Sequence, residues 1–104
     1  MALRPLTEEE RAAAREKAKQ ARTVRAEVKE AIKNRETSIA DVLKRSETDE
    51  AVSRLKVTDL LMALPSIGEV RAEAILKELN IAPSRRLRGL GIHQRRALVE
   101  YLQR

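Results

Sequence analysis

The sequence predicts an all-α protein, and three observations support this prediction. Residues 7–35 contain neither glycine nor proline and are dense in Ala, Lys, Arg and Glu, which all favour helix. Apolar residues elsewhere recur at spacings of three and four, and no stretch keeps the period-two alternation of a strand. The three glycines and two of the three prolines fall within residues 64–91, where the chain is expected to turn.

The first helix is predicted to run from Thr7 to about Arg35. Thr7 is a good N-cap, and Glu10 three residues later completes a capping box. The helix would be about 40 Å long, which exceeds what a small domain needs. Its apolar stripe is alanine in the first half and gains larger residues in the second: Ala14, Ala18, Ala21, Val24, Val28, Ala31 and Ile32. Because buried alanine contributes little, we expect the second half to anchor the helix and the first half to project.

Shorter helices are predicted between residues 37 and 64. Thr37 or Ser38 caps the first of them, and a turn at residues 46–49 leads to a helical turn over 50–55. Thr58 is then expected to cap a helix that runs to Leu64. The predicted inward-facing residues of this region are Ile39, Val42, Leu43, Val52, Leu55, Leu60, Leu61 and Leu64.

Residues 64–91 are predicted to form a hairpin of helices around which the fold is organised. The run Pro65-Ser66-Ile67-Gly68 turns the chain into a helix that begins near Glu69 and stops near Asn80. The N–H groups of residues 68–70 are unsatisfied donors at a helix N-terminus, which is a ready anion site. The simpler interpretation is a helix–helix turn without a ligand, and Glu69 would compete with an anion for the same donors. The last helix is expected at residues 92–102.

Composition limits the class of protein. A chain of 104 residues is expected to form one domain, and with one Tyr, no Phe and no Trp its core must be aliphatic. The lack of cysteine excludes disulfides and thiolate metal sites and suits a cytoplasmic protein. No apolar run reaches the roughly 18 residues of a membrane span, and the polar N-terminus is not typical of a signal peptide. We therefore expect a cytoplasmic protein without membrane contact.

Uncompensated positive charge is concentrated in the second half of the chain. The net charge is +6, and residues 1–50 carry 12 basic and 11 acidic side chains, whereas residues 51–104 carry 10 and 5. Arg85, Arg86 and Arg88 lie together just before Gly89. Such uncompensated charge favours a polyanionic partner, although a solvated basic face that maintains solubility is the alternative.

A second basic row lies on one face of the first helix. Its members follow one another at spacings of four, four and three: Arg11, Arg15, Lys19 and Arg22. One interpretation is ordinary solvent exposure with salt bridges to the neighbouring glutamates. The other is a basic rail that helps to hold a duplex.

Neither a catalytic site nor a metal site is predicted. The chain has one histidine and no cysteine, and His93 is expected at the surface near solvent or a bound phosphate. The carboxylates lie among lysines and arginines without an evident acid/base dyad, and their spacing does not form a metal site. We expect no enzyme activity, no metal and no cofactor.

Three blocks of the sequence carry a family resemblance. They are MAL-x-PLT-x-E-x-RAAA at the start, LKV-x-x-LL-x-ALP-x-IG-x-VRA in the middle, and IAPSRRLRGLG followed by QR-x-AL. The chain thereby resembles the actinobacterial integration host factor family of small nucleoid-associated DNA-binding proteins. The similarity covers nearly the whole chain, and the last block is the most specific.

The resemblance implies an arm and long basic helix over residues 1–36, followed by a helix–two-turn–helix domain over 37–104, with five to six helices in all. It also implies binding of double-stranded DNA with little sequence preference, mainly through phosphate and minor-groove contacts. DNA bending and compaction in the cytoplasmic nucleoid, and support of site-specific integration, follow from the same resemblance. A phage integrase is therefore a candidate second partner, and we expect a monomer in solution.

The resemblance further implies that the arginine cluster contacts DNA and that the turn from Ser66 to Arg71 holds a phosphate backbone. The predicted DNA-binding residues are Ser66, Gly68, Arg71, Arg85, Arg86, Arg88, Gly89 and Arg95. A secondary DNA surface is predicted at Arg11, Arg15, Lys19 and Arg22. Glu69 departs from the family, in which this position is usually basic, and this weakens the expected contact between the hairpin and phosphate.

Two other functions stay open on the sequence. The helix–two-turn–helix domain also occurs in a small-subunit ribosomal protein, so an RNA-binding or ribosome-binding role is one alternative. A helical module that pairs its charged first helix with a protein partner is the other. A DNA glycosylase of the formamidopyrimidine type is less expected, because those enzymes use an N-terminal proline and Pro5 is internal here.

Overall fold

A computed structural model of the protein describes residues 4–102, so residues 1–3 of the predicted arm and the last two residues of the predicted domain lie outside it. The helices of the described part are α1 (Glu8–Lys33), α2 (Ile39–Arg45), α3 (Glu50–Ser53), α4 (Val57–Met62), α5 (Glu69–Glu78) and α6 (Ile92–Leu102). One turn of 3-10 helix lies at Leu87–Gly89. Residues 4–102 contain no strand beyond an isolated antiparallel bridge between Lys56 and Arg86. The all-α prediction is confirmed.

Local hydrogen bonds determine where α1 begins. The Thr7 hydroxyl accepts from the Glu10 N–H at 3.0 Å, and the Glu10 carboxylate accepts from the Thr7 N–H at 3.4 Å, which forms the predicted capping box. Arg4 donates two further bonds of 3.0 Å to the same carboxylate. The Arg4 guanidinium, and then the Thr7 bonds, lower the pKa of the Glu10 carboxyl below its ordinary value.

The second half of α1 attaches this helix to the protein. Val28 and Ile32 are buried, and α1 packs against α3 and α4, whereas Ala14 and Ala18 in the first half are exposed. The described residues therefore form an elongated body of 51 × 33 × 25 Å. The core residues of all the helices are aliphatic, as predicted. The difference between the two halves of α1 is confirmed.

Tertiary contacts determine the start of α4, where the prediction from local caps is wrong. Ser38 caps α2 as expected, with its hydroxyl 3.1 Å from the Asp41 N–H. However, Thr58 caps no helix, because α4 begins at Val57 without a side-chain cap. The Val57 N–H instead donates to the Arg85 carbonyl at 3.0 Å. This partner is distant in the sequence, so the spacing of local cap residues does not reveal it.

Arg95 in α6 connects three segments of the domain. Only 20% of its side chain is exposed. At the end of α2, its Nη1 donates to the Leu43 carbonyl at 2.9 Å and to Ser46 Oγ at 3.3 Å. Its Nη2 donates to the Leu87 carbonyl at 3.0 Å, and its Nε donates to the Leu90 carbonyl at 3.2 Å. The guanidinium thus adds charged donors to these carbonyls, of which Leu43 also accepts from the Ser46 hydroxyl and Leu87 also accepts from the Leu90 N–H.

Replacement of Arg95 by methionine should destabilise the fold. Hydrogen bonds to a charged donor contribute roughly 1.5–3 kcal/mol, so we expect Arg95→Met to lower the free energy of unfolding by about 2–3 kcal/mol. Urea unfolding followed by circular dichroism measures this change. The matched control is Arg96→Met, because Arg96 is exposed and should shift stability by no more than about 0.5 kcal/mol. Equal effects of the two substitutions would contradict the structural role of Arg95.

Acidification should loosen the first turn of α1. Because the folded-state pKa of Glu10 is lowered, its carboxylate stabilises this turn above the ordinary glutamate pKa, and the contribution is lost as the pH falls through the lowered value. Arg4→Ala should raise the pKa of Glu10 and so move this loss to higher pH. Titration of the Glu10 carboxyl carbon by NMR in both proteins measures the difference. An unchanged midpoint would show that Arg4 does not act on Glu10 in solution.

Candidate nucleic-acid interface

The arginine segment, residues 85–88, is fixed by backbone hydrogen bonds to the connection between α3 and α4. The Val57 N–H donates to the Arg85 carbonyl at 3.0 Å, and the Leu87 N–H donates to the Leu55 carbonyl at 2.9 Å. The Leu87 side chain is fully buried between the exposed residues Arg86 and Arg88. The burial of one leucine therefore places its two neighbouring arginines on the surface.

The three arginines of this segment differ in how they are held. Arg85 Nη1 donates to the Gly89 carbonyl at 2.9 Å, and Arg86 Nη1 donates to the Arg54 carbonyl. Arg88 makes no hydrogen bond or ion pair with any residue from 4 to 102. Arg88 is therefore free to bind an external anion, whereas Arg85 and Arg86 are already oriented by the protein.

Gly89 provides the space that Arg85 occupies. A Cβ atom built on Gly89 would lie 2.9 Å from Arg85 Cδ, which is closer than real Cβ contacts. The Arg85 side chain therefore packs directly against the glycine backbone. The structural reason for a glycine here is this close approach.

A groove of about 790 Å³ separates α1 from the arginine segment. Basic residues from three parts of the chain line it: Arg22, Arg25 and Lys29 from α1, Arg54 and Lys56 from the connection before α4, and Arg86 and Arg88 from the arginine segment. Asp59 is the one acidic residue from 4 to 102 that lines the groove. Among these basic residues, only Arg54 forms an ion pair within the described part of the chain, at 2.7 Å from Glu50. We call this site the arginine groove.

The electrostatics of the arginine groove favour a chain of phosphates. Like charges that converge on a cleft raise the local positive potential and concentrate anions there. Each guanidinium group can donate two parallel hydrogen bonds to a phosphate. The small side chains of the alanines at positions 18, 21 and 26 leave room for the phosphates between the basic side chains. The groove can therefore contact several successive phosphates of one backbone.

The structure divides the predicted secondary surface on α1. Arg22 lines the arginine groove, whereas Arg15 and Lys19 line a smaller surface depression that also includes Arg22. Arg11 is exposed, and Arg15 lies 3.5 Å from the Glu8 carboxylate. The predicted row is thus continuous with the groove at one end only.

Four groove residues were missed by the sequence interpretation: Arg25, Lys29, Arg54 and Lys56. Arg25 and Lys29 follow Arg22 at spacings of three and four, so the helical periodicity of α1 was a signal for these two residues. No local signal identifies Arg54 and Lys56, because only the pairing with the arginine segment brings them to the site.

The predicted residues of the α4–α5 turn lie on a different recess from the arginine groove. Ser66 and Arg71 line a cavity with residues of α2 and α6. Gly68 is the N-cap of α5, no side chain caps it, and a Cβ there would meet nothing within 4 Å. The first N–H groups of α5 therefore remain accessible, next to the exposed Glu69.

With this geometry established, comparison with known proteins identifies the family. Residues 32–102 match the S13-like H2TH domain. The integration host factor of Mycobacterium tuberculosis is 55% identical over 100 residues, which cover 96% of this chain and 95% of that protein. The chain belongs to the integration host factor family. The helix–two-turn–helix prediction and the family resemblance are confirmed.

Other members of the family and a solved structure agree with this assignment. The integration host factor of Streptomyces coelicolor is 49% identical over 94 residues, covering 90% of this chain and 88% of that protein. A solved structure of sIHF bound to an 8-base-pair palindromic DNA is similar with a TM-score of 0.81 and 42% identity. The match covers 83% of this chain and 97% of that one.

The position of Arg95 argues against its predicted DNA contact. Its guanidinium donates to the carbonyls of Leu43, Leu87 and Leu90 and is mostly buried. Release of the side chain to a phosphate would break these charge-assisted hydrogen bonds inside the domain. We therefore assign Arg95 a structural role within this member of the integration host factor family.

His93 is exposed at the start of α6, as expected.

No cluster of histidine, aspartate and glutamate side chains within residues 4–102 has the arrangement of a metal site. The same residues contain no helix that is both long enough and apolar enough to cross a membrane.

Substitution of Gly89 should displace Arg85. In Gly89→Ala the new methyl group would overlap Arg85 Cδ, so the bond from Arg85 Nη1 to the Gly89 carbonyl should be lost. NMR spectra of the arginine side-chain N–H groups should show a changed Arg85 signal. Gly91→Ala is the control, because a Cβ at Gly91 meets nothing within 4 Å and should leave the Arg85 signal unchanged. An unchanged Arg85 signal in Gly89→Ala would contradict the close packing.

Proposed function

We propose that this protein binds double-stranded DNA with little sequence preference, through the arginine groove. The observation that carries the proposal is the convergence of seven basic side chains and one acidic side chain on a single groove. The similarity to an sIHF structure that holds DNA supports the same conclusion. The groove would bind the phosphate backbone of the duplex rather than the base edges.

The composition of the groove accounts for low sequence preference. Phosphate contacts position a protein on DNA but carry no direct information about sequence. Single-strand binding usually relies on aromatic side chains that stack on bases. The one aromatic residue among Phe, Trp and Tyr is Tyr101, and it lines the other recess. A duplex backbone is therefore the better ligand for the arginine groove.

The shape of the site supports an architectural role. Arg11, Arg15 and Lys19 continue along α1 beyond the groove and would form a second, weaker contact with the duplex. A duplex held at both places is biased towards bending, and arginines in a minor groove favour deformable sequences. We propose that the protein acts as a monomer in the nucleoid, where it bends and compacts DNA and supports site-specific integration with a phage integrase as partner.

RNA binding is the second candidate function. The observation in its favour is the match of residues 32–102 to an S13-like domain, because the sequence resemblance includes a ribosomal protein. Competition between duplex DNA and duplex RNA of the same sequence for the fluorescently labelled protein separates the two functions. Preferential displacement of DNA by RNA would favour the alternative.

Single charge-removing substitutions in the arginine groove test the DNA site. Arg88→Gln and Lys29→Gln should each weaken duplex affinity at moderate salt by about 1 kcal/mol or more. Each should also reduce the slope of log K against log salt by about one unit per lost phosphate contact. Fluorescence anisotropy with a mixed-sequence duplex measures both quantities.

The controls separate a local contact from a change in total charge. Lys77→Gln removes one positive charge from the exposed face of α5 and lies outside the groove lining, so it should have a smaller effect. Arg85→Ala with Arg86→Ala should also weaken binding, but these residues make internal hydrogen bonds, so their stability must be measured in parallel. If Arg88→Gln and Lys77→Gln weaken binding equally, the arginine groove is not the site.

A further inference from the structure

A recess of about 450 Å³ lies between α2, the α4–α5 turn and α6, and the DNA proposal does not use it. This volume is within the range of small-molecule sites, which are mostly apolar with a few polar groups. Its base is formed by the buried side chains of Ile39, Ile67 and Ile75. The recess therefore offers a preformed apolar surface beside the domain core.

Arg71 is the one charged residue of the described part of the chain that lines this recess. It makes no hydrogen bond or ion pair with any other residue of the described chain. Ser66, which also lines the recess, adds a hydroxyl that can donate to an anion. No carboxylate among residues 4–102 lines the recess to neutralise the guanidinium, so an external anion is the complementary partner.

Tyr101 adds a flat aromatic surface to the same recess. It is the only tyrosine in a chain without phenylalanine or tryptophan, and its side chain is half-buried. Planar rings pack favourably against aromatic and aliphatic side chains in offset or edge-to-face arrangements. The recess therefore combines an apolar base, an aromatic wall and one unpaired cation.

We propose that this recess binds a small planar ring compound that carries a phosphate or carboxylate group. The ring lies against Tyr101 and the isoleucine base, while Arg71 and Ser66 hold the anionic group. Nucleoside monophosphates and aromatic carboxylates share this chemistry. Because Arg71 is also a predicted DNA contact, a bound compound would remove Arg71 from DNA, although binding at the recess does not depend on the DNA proposal.

NMR titration of the full chain with four probes tests the proposal. Adenosine monophosphate and indole-3-carboxylate contain both a ring and an anionic group, whereas adenosine lacks the anion and inorganic phosphate lacks the ring. We expect one or both of the first two probes to shift the amide signals of Ser66, Arg71 and Tyr101, and the last two to bind at least tenfold more weakly. Which of the first two binds more tightly shows whether a nucleoside monophosphate or an aromatic carboxylate is the better ligand.

Variants establish where the probe binds. Arg71→Gln should weaken binding by about tenfold or more, because it removes a charge-assisted hydrogen bond. Lys77→Gln, an equal charge change on the same helix, should leave binding unchanged. Tyr101→Leu should also weaken binding of the ring. If this variant fails to fold, Arg71→Gln still tests the proposal, because Arg71 is exposed.

Three results would overturn the proposal. One is that neither adenosine monophosphate nor indole-3-carboxylate binds more tightly than inorganic phosphate, and another is an unchanged affinity in Arg71→Gln. The third is a set of shifts confined to the arginine groove, at Arg22 and Arg88. Failure of the DNA proposal would appear instead as unchanged duplex affinity in Arg88→Gln, so the two failures are distinguishable.

Discussion

The backbone pairing between residues 55–57 and 85–87 is the interaction on which the rest of the arginine groove depends. Two hydrogen bonds, from Val57 to Arg85 and from Leu87 to Leu55, place the arginine segment beside the start of α4. The same pairing supplies a partner for an N–H group at the start of α4, which has no side-chain cap. One short backbone contact therefore determines both a helix boundary and the position of the basic side chains.

The other wall of the groove depends on how α1 is attached. Val28 and Ile32 bury the second half of this helix, and Arg25 adds a bond of 3.4 Å from its Nη1 to the Ala51 carbonyl of α3. Because α1 is a continuous helix, this attachment also fixes the direction of its exposed first half. Three basic residues of α1, Arg22, Arg25 and Lys29, consequently face the arginine segment across a gap that alanines leave open.

The arginines that stabilise this fold and those that form its basic surface are different residues. Arg95 uses its guanidinium within the protein, where it joins α2, the 3-10 helix and α6. The basic residues of the arginine groove remain at the surface, and most of them have no acidic partner within residues 4–102. These like charges repel one another in the free protein, and a bound polyanion relieves this repulsion. The difference between Arg95 and Arg88 is therefore one of environment rather than of residue type.

The sequence by itself determined the helical class, the capping box of Thr7 and Glu10, the start of α5 at Glu69 and the anchoring half of α1. These features rest on residues within one or two helical turns, so local spacing is sufficient to predict them. The tertiary structure alone decided that α4 begins at Val57, that Arg54 and Lys56 join the groove and that Arg95 lies inside the domain. It also decided that Arg71 and the arginine segment line different recesses, although both belong to the stretch around which the fold is organised. The physical reason is that a buried and an exposed arginine have the same side chain. Residues distant in the sequence determine whether that side chain meets carbonyls inside the domain or faces the open groove.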